Sequence, residues 1–264
     1  MSLVGRMLAA VNRVPIGERA VRIGGDRLYV ASLDRYVAAL GWKLGALEGA
    51  EHALLGRVVQ PGMVAVDVGA NLGFHTLGLA RRVGPGGCVH ALEPDPDNFR
   101  LLARTVREAG LGQVRLHRLA AGDRAGEQTL YLSPVNRGDH RVTPDDEPRR
   151  AVAVSTLVLD ELLAAAPRVD FVKIDVQGAE IAVLRGLART LARHPPPSVL
   201  CELAPPLLRA VGTEPEECVA LLRAAGLAPH RLRRDGTPAP VTEQQALAQA
   251  EATGWENVYF QRSR

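Results

Sequence analysis

Lysine is almost missing from this 264-residue chain: Lys43 and Lys173 are the only two among 32 basic residues. Arginine carries the positive charge, and the net charge is a mild +3. Aromatic residues are scarce too, at 4%. A nucleic-acid groove combines clustered positive charge with stacking rings. Here pairs such as Arg149-Arg150 and Arg233-Arg234 are among the densest basic runs. A solvated arginine-rich surface is therefore expected, with no nucleic-acid partner. Cysteine is limited to Cys88, Cys201 and Cys218, with no C-x-x-C pair. That excludes a disulfide framework and a cysteine metal knuckle, and points to buried free thiols in a reducing compartment. No apolar run approaches the ~20 residues of a membrane span. Arg6 and Arg13 interrupt the N-terminal apolar stretch, so it does not read as a signal-peptide core. A cytoplasmic protein without a membrane partner is the expectation.

What is present is 47% apolar residues, enough for one well-buried domain. Residues 1–50 read as an N-terminal cap, with a hairpin around Gly24-Gly25-Asp26 and helical spacing from Tyr36 to Val59. Residues 51–264 read as the main domain. Its first core strand is Met63–Asp67, its second Cys88–Glu93 and its third Val114–Leu119. Helices from Phe74 and from Asp95-Pro96 lie between them, since proline suits the first helical position. The alternation then breaks for a strand-rich insertion, about residues 124–157, with strands at Glu127–Leu132 and Ala151–Leu157. It resumes with a fourth strand, Val169–Asp175, a helix, Glu180–His194, and a fifth strand, Ser198–Glu202. Pro229–Arg233 and Asn257–Gln261 are the last two strands, the final one at an edge. Such alternation argues an α/β fold around a mostly parallel, seven-stranded sheet.

The stretch Val64–Gly73 reads V-A-V-D-V-G-A-N-L-G. It is a strand ending near Asp67, a tight turn through Gly69, Asn71 and Gly73, and a helix start. That turn lets a ligand approach the backbone and sets helix N–H groups beside its negative end. Glu93 follows 20 positions after Gly73, at the end of the next strand, where an acid suits a ribose diol. A nucleoside-containing cofactor is implied. A dinucleotide needs glycine where Asn71 stands, because the pyrophosphate touches the backbone there. S-adenosylmethionine (SAM) has no phosphate. Its carboxylate suits the helix N–H groups, its ammonium an acid near Asp67, its ribose Glu93, and its adenine Asp123 at the end of the third strand. A nicotinamide-dependent oxidoreductase is the competing enzyme class, and an inactive module that keeps the fold is the non-catalytic alternative.

The segments D-V-G-A-N-L-G, A-L-E-P, A-A-G-D and V-K-I-D-V-Q-G-A-E, in that order, resemble the FkbM-type methyltransferases. The similarity runs from about Glu51 to Phe260. It implies a Rossmann-like class I methyltransferase fold with an antiparallel last strand and an insertion before strand four. It implies SAM as cofactor and a hydroxyl on a small molecule, a natural product or sugar, as acceptor. Many members carry Glu where this chain has Gln177. The resemblance also implies a substrate-facing loop at Asn136-Arg137-Gly138-Asp139-His140-Arg141, with Asn136 and Arg141 binding substrate. It gives Glu51 a place in the cofactor pocket.

Methyl transfer to a hydroxyl needs alignment and a proton acceptor. Asp175 ends strand four, at the edge where open α/β sheets bind ligands. Asp175, Asp139 and His140 are the candidate catalytic residues. Lys173 shares a strand face with Asp175 and is expected to pair with it. Glu180 is expected to support its own helix start. Asp175, Asp139 and His140 offer a possible divalent-cation set, but the metal-free reading is preferred.

Overall fold

The computed structural model describes residues 15–45, 47–134, 136–193 and 195–262. It opens with a hairpin, β1 (Pro15–Ile23) and β2 (Asp26–Ser32). Helices α1 (Leu33–Lys43) and α2 (Gly49–Val58) follow. The single helical stretch read from Tyr36 to Val59 is thus two helices, and the chain turns at Glu48, in left-handed backbone with φ 50°.

The core begins with β3 (Val64–Val68), α3 (Phe74–Val83), β4 (Cys88–Leu92), α4 (Pro96–Glu108) and β5 (Val114–His117). Every residue of β3 is buried, as expected of a strand covered on both faces. The start of α4 is set by Asp95, whose carboxylate accepts the Asp97 and Asn98 N–H groups, with Pro96 at the first turn. Such a cap contributes about 1 kcal/mol.

The insertion holds β6 (Ala120–Gly122), β7 (Gly126–Leu132) and β8 (Arg150–Val158), a separate sheet in the order β6-β8-β7. A short helix, α5 (Leu159–Leu162), leads to β9 (Phe171–Ile174). The helix read from Glu180 to His194 divides into α6 (Glu180–Arg185) and α7 (Ala188–Leu191), and His194 lies outside the described residues. Gly186 causes the break. A Cβ there would lie 2.1 Å from the Gly122 carbonyl oxygen, so the chain passes β6 backbone to backbone. Asp160 then caps the second piece by accepting the Arg189 and Thr190 N–H groups at 2.7 and 2.8 Å.

The chain ends with β10 (Ser198–Leu203), α8 (Pro205–Ala210), α9 (Pro215–Ala224), β11 (Leu227–Leu232), β12 (Pro238–Pro240), α10 (Glu243–Thr253) and β13 (Glu256–Arg262). The main sheet has the order β12-β11-β13-β10-β9-β3-β4-β5. Neighbours from β10 to β5 are parallel, and β13 is antiparallel to both β10 and β11. The expected mostly parallel sheet with an antiparallel last strand is present, with one strand more. β12 adds itself at the edge, where the missing N–H groups of Pro238 and Pro240 break no inner ladder. The last strand is not an edge: Val258, Tyr259 and Phe260 are all buried between two neighbours. From β3 the chain goes to β4 on one side, and later to β9 on the other. The carboxyl ends of β3 and β9 therefore form the switch point where doubly wound sheets bind ligands.

The hairpin β1–β2 lies on α4. The Tyr29 N–H donates to Thr105 Oγ1 at 3.1 Å, and the Arg104 guanidinium lies 4.0 Å over the Tyr29 ring. Glu18 pairs with both Arg100 and Arg104. Cys201 and Cys218 are buried free thiols, whereas Cys88 is half-buried. Among the described residues no helix is long and apolar enough to cross a membrane.

Candidate active site

Gly69 brings the two central strand ends together. Its φ is 81°, and a Cβ on it would lie 1.9 Å from the Asp175 carbonyl oxygen. No side chain fits between the β3 turn and the β9 end. Asn71 follows at φ 53°, a left-handed position that asparagine tolerates. Its N–H donates to Glu93 Oε2 at 2.7 Å, and the Asp95 N–H donates to Glu93 Oε1 at 3.0 Å. The turn after β3 is thereby fixed to the end of β4. Gly73 lies against Leu102 of α4, behind this turn. Asp67 is fully buried beneath it and accepts from Thr76 Oγ1 at 2.6 Å.

A cleft of about 880 Å³ opens above these strand ends. Glu93, Asn98, Leu119, Ala120 and Ala121 line one end; Trp42, Glu48, His75, Lys173, Asp175 and Gln177 line the other. Glu93 is buried, and desolvation pushes its carboxyl up to about 7, although the two backbone N–H groups oppose the shift. Asn98, also buried, donates Nδ2 to the Arg137 carbonyl at 3.2 Å; its Oδ1 has no partner among the described residues. Asn71 Oδ1 is likewise buried without a partner. Two unpartnered acceptors flanking an acid suit a ligand end rich in hydroxyl or amino donors.

The insertion loop reaches this same end. The Ser133 N–H donates to His140 Nδ1 at 3.1 Å, and His140 Nε2 faces Asp95 Oδ2 at 3.4 Å. With the Nδ1 lone pair committed, the proton of a neutral ring sits on Nε2, toward Asp95. Arg137 faces Asp97 at 3.6 Å. The loop tip therefore rests on the N-terminus of α4. Arg137, Gly138 and His140 line the cleft; Asn136, Asp139 and Arg141 do not. Asn136 Oδ1 accepts the Gly138 N–H at 2.9 Å. Asp139 is held by Arg141 at 2.7 Å and by Arg149 at 2.9 Å. Both arginines also reach Asp145. These charges fix the loop's shape and turn the Asp139 carboxylate to the two arginines.

At the other end, Lys173 Nζ donates to Asp175 Oδ2 at 2.9 Å, the expected pairing. Burial works to lower the Lys173 ammonium, but Asp175, Asp67 and Glu48 outweigh it and hold its pKa above the ordinary value. Gln177 Nε2 donates to Asp175 Oδ1 at 2.9 Å and to Glu202 Oε2 at 2.8 Å. Glu180 accepts the Val176 and Gly178 N–H groups at 3.1 and 3.0 Å, bracing the turn as expected, and burial raises its carboxyl to about 7. Glu48 pairs with His75 Nε2. Desolvation would raise its carboxyl, but His75 and then Lys173 hold it down to about 2. The Trp42 ring stacks on Phe74 at 5.0 Å.

Two other expected residues lie elsewhere. Glu51 accepts from Asn257 Nδ2 at 2.8 Å, outside the cleft, and Glu48 occupies the wall instead. Asp123 is partly exposed beside Arg124 on a neighbouring groove. Asn98 and His75 joined the site unannounced. The capping pattern Asp95-Pro96 would have placed Asn98 in a first turn, but nothing local showed that the loop lands there. Among the described residues no group of three or more His, Cys, Asp or Glu side chains could hold a metal ion.

Comparison with known proteins adds an independent line. The model of the methyltransferase FkbM domain matches residues 67–227. A hexuronic acid methyltransferase, AglP, of Haloferax volcanii is 29% identical over 155 residues, 57% of this chain and 61% of its own. A 31-O-demethyl-FK506 methyltransferase, FkbM, of Streptomyces tacrolimicus is 40% identical over 77 residues, 29% of this chain and 28% of its own. The chain thus spans less than two thirds of either relative. A solved methyltransferase FkbM of Methylobacillus flagellatus aligns over 97% of this chain and 57% of its own, with 15% identity and a TM-score of 0.47.

Proposed function

Because the chain belongs to the FkbM methyltransferase family, we propose that it transfers a methyl group from SAM to a hydroxyl of a small molecule, a sugar or other natural product. The observation that carries this reading is the paired cleft. An acid and two unpartnered amide oxygens stand at one end, and a lysine-held carboxylate stands at the other. Glu93, Asn71 and Asn98 hold the nucleoside. The N-terminus of α3 and Glu48 hold the amino-acid part, opposite charges each meeting their complement. Bound SAM supplies an electrophilic methyl group on a sulfonium, whose departure leaves a neutral thioether.

Asp175 Oδ1 or Oδ2 takes the proton of the acceptor hydroxyl as its oxygen–carbon bond forms. Lys173 keeps that carboxylate oriented. The tip of the insertion loop excludes water from the nucleoside end. Residues 1–50 act as a cap on the domain formed by 51–264, through Trp42 and Glu48. The names of the relatives, a hexuronic acid methyltransferase and a 31-O-demethyl-FK506 methyltransferase, support a hydroxylated small-molecule acceptor.

The test is methyl transfer from labelled SAM to a panel of hydroxylated sugars and natural products. On the acceptor found, Asp175→Asn should lower kcat about 10²–10⁴-fold while leaving SAM affinity nearly unchanged. Parent-level turnover by that variant places the proton acceptor elsewhere.

A further inference from the structure

Two carboxylates, Asp175 at the end of β9 and Glu202 in β10, stand on neighbouring parallel strands. Among the described residues one cation, Lys173, faces them closely, and its ammonium is bonded to Asp175. The link between them is Gln177. Its Nε2 has two hydrogens, and each has an acceptor: Asp175 Oδ1 at 2.9 Å and Glu202 Oε2 at 2.8 Å. That double bond also fixes which end of the amide is nitrogen, since a carbonyl oxygen cannot donate to either partner. Gln177 reaches this position with left-handed backbone, φ 53°. A non-glycine residue held there marks a place where surrounding contacts over-determine the chain.

We propose that Gln177 is a positioning residue that clamps the two carboxylates: its amide orients Asp175, the group that takes the acceptor's proton, and gives the neighbouring Glu202 a donor that offsets the like charge around it. Asp175 receives two charge-assisted or polar donors, Lys173 and Gln177. Among the described residues, Glu202 receives the amide alone. The other charged groups facing Glu202 are Glu180 at the start of α6 and Glu48 before α2, both negative, with Lys173 the opposing cation. On the antiparallel neighbour β13 its register partner is the neutral Asn257. Desolvation, and then Asp175 and Glu180, push the Glu202 carboxyl well above the usual carboxylate range. A third carboxylate at 177 would lose that donor and add like charge to the cluster.

The role of Asp175 as proton acceptor comes from the methyltransferase reading. The clamp is read on the ligand-free protein, so the two fail separately. Carboxyl ¹³C NMR, with Glu202 assigned through Glu202→Gln, follows the Glu202 titration in the parent, Gln177→Asn, Gln177→Glu and Asp175→Asn. Asparagine tolerates the left-handed backbone and keeps the amide, but is one methylene too short to bridge. The Glu202 midpoint should rise by about one pH unit in Gln177→Asn, a tenfold change in proton affinity. It should rise at least as far in Gln177→Glu and fall in Asp175→Asn. If Gln177→Glu does not fold, Gln177→Asn decides. Coincident Glu202 midpoints in the parent and Gln177→Asn overturn the clamp, as does a midpoint unmoved by Asp175→Asn.

Discussion

His140 illustrates how a single hydrogen bond reassigns a residue. The residue type suits a general base, but Nδ1 already accepts the Ser133 N–H and Nε2 faces Asp95. In the proposed function it acts as a latch at the Glu93 end of the cleft. His140→Ala should lower SAM affinity about tenfold, about 1.4 kcal/mol, and leave turnover at saturating SAM within about threefold. Calorimetry with saturating kinetics separates the cases; a 10²-fold loss of kcat at unchanged affinity would restore His140 as the base. Glu180 makes a prediction in stability. Its folded pKa, raised by burial to about 7, lies above the unfolded value near 4.5. Its contribution is therefore fully present below about pH 4.5 and is lost as pH rises through 7. Glu180→Gln should flatten that decline, on the order of 3 kcal/mol for a shift of this size. Denaturant titrations at pH 4.5 and pH 7.5 check it, and equal slopes in parent and variant would contradict it. Which glutamate enters the pocket was harder to read. Glu48 and Glu51 sit three residues apart, and only the left-handed turn at Glu48 decides between them. The sequence pattern marks neither.

Elements whose causes are local were legible. The run Val64–Gly73 carries its strand, turn and helix start in ten consecutive residues, and the structure places all three there. The Asp95-Pro96 start of α4 is equally local. Elements shaped by distant partners were not. The break at Gly186 exists because Gly122, 64 residues earlier, passes against it. The loop Asn136–Arg141 brings only Arg137, Gly138 and His140 to the cleft, and its docking on Asp95, Asp97 and Asn98 depends on contacts about 40 residues away. The N-terminal elements have the same character, since Trp42 and Glu48 meet α3 only in the folded chain. If residues 1–50 form a functional cap, a protein beginning at residue 51 should bind SAM at least tenfold more weakly, because Glu48 and the Trp42 stack leave the cleft wall. Calorimetry on a truncated protein that retains the parent's circular dichroism tests this. Unchanged affinity would reduce the segment to a structural appendage.

At the scale of the molecule, one geometry accounts for the whole cleft. The chain leaves β3 toward β4 on one side and toward β9 on the other, and the carboxyl ends part there. The insertion sheet walls the Glu93 end, and Trp42 and Glu48 of the N-terminal segment wall the opposite end. The alternation of apolar strands foretold this sheet, although neither the internal position of β13 nor the added edge strand β12 was written in a local pattern. The central claim is that the cleft is built for SAM and not for a dinucleotide. Isothermal titration calorimetry with SAM, its demethylated product and NAD on the parent and Glu93→Ala is the most direct measurement. SAM and its product should bind, NAD should give no heat, and Glu93→Ala should weaken SAM by about 1–3 kcal/mol, the cost of losing a hydrogen bond to a charged group. Tight NAD binding without SAM heat, or SAM affinity indifferent to Glu93, would contradict it.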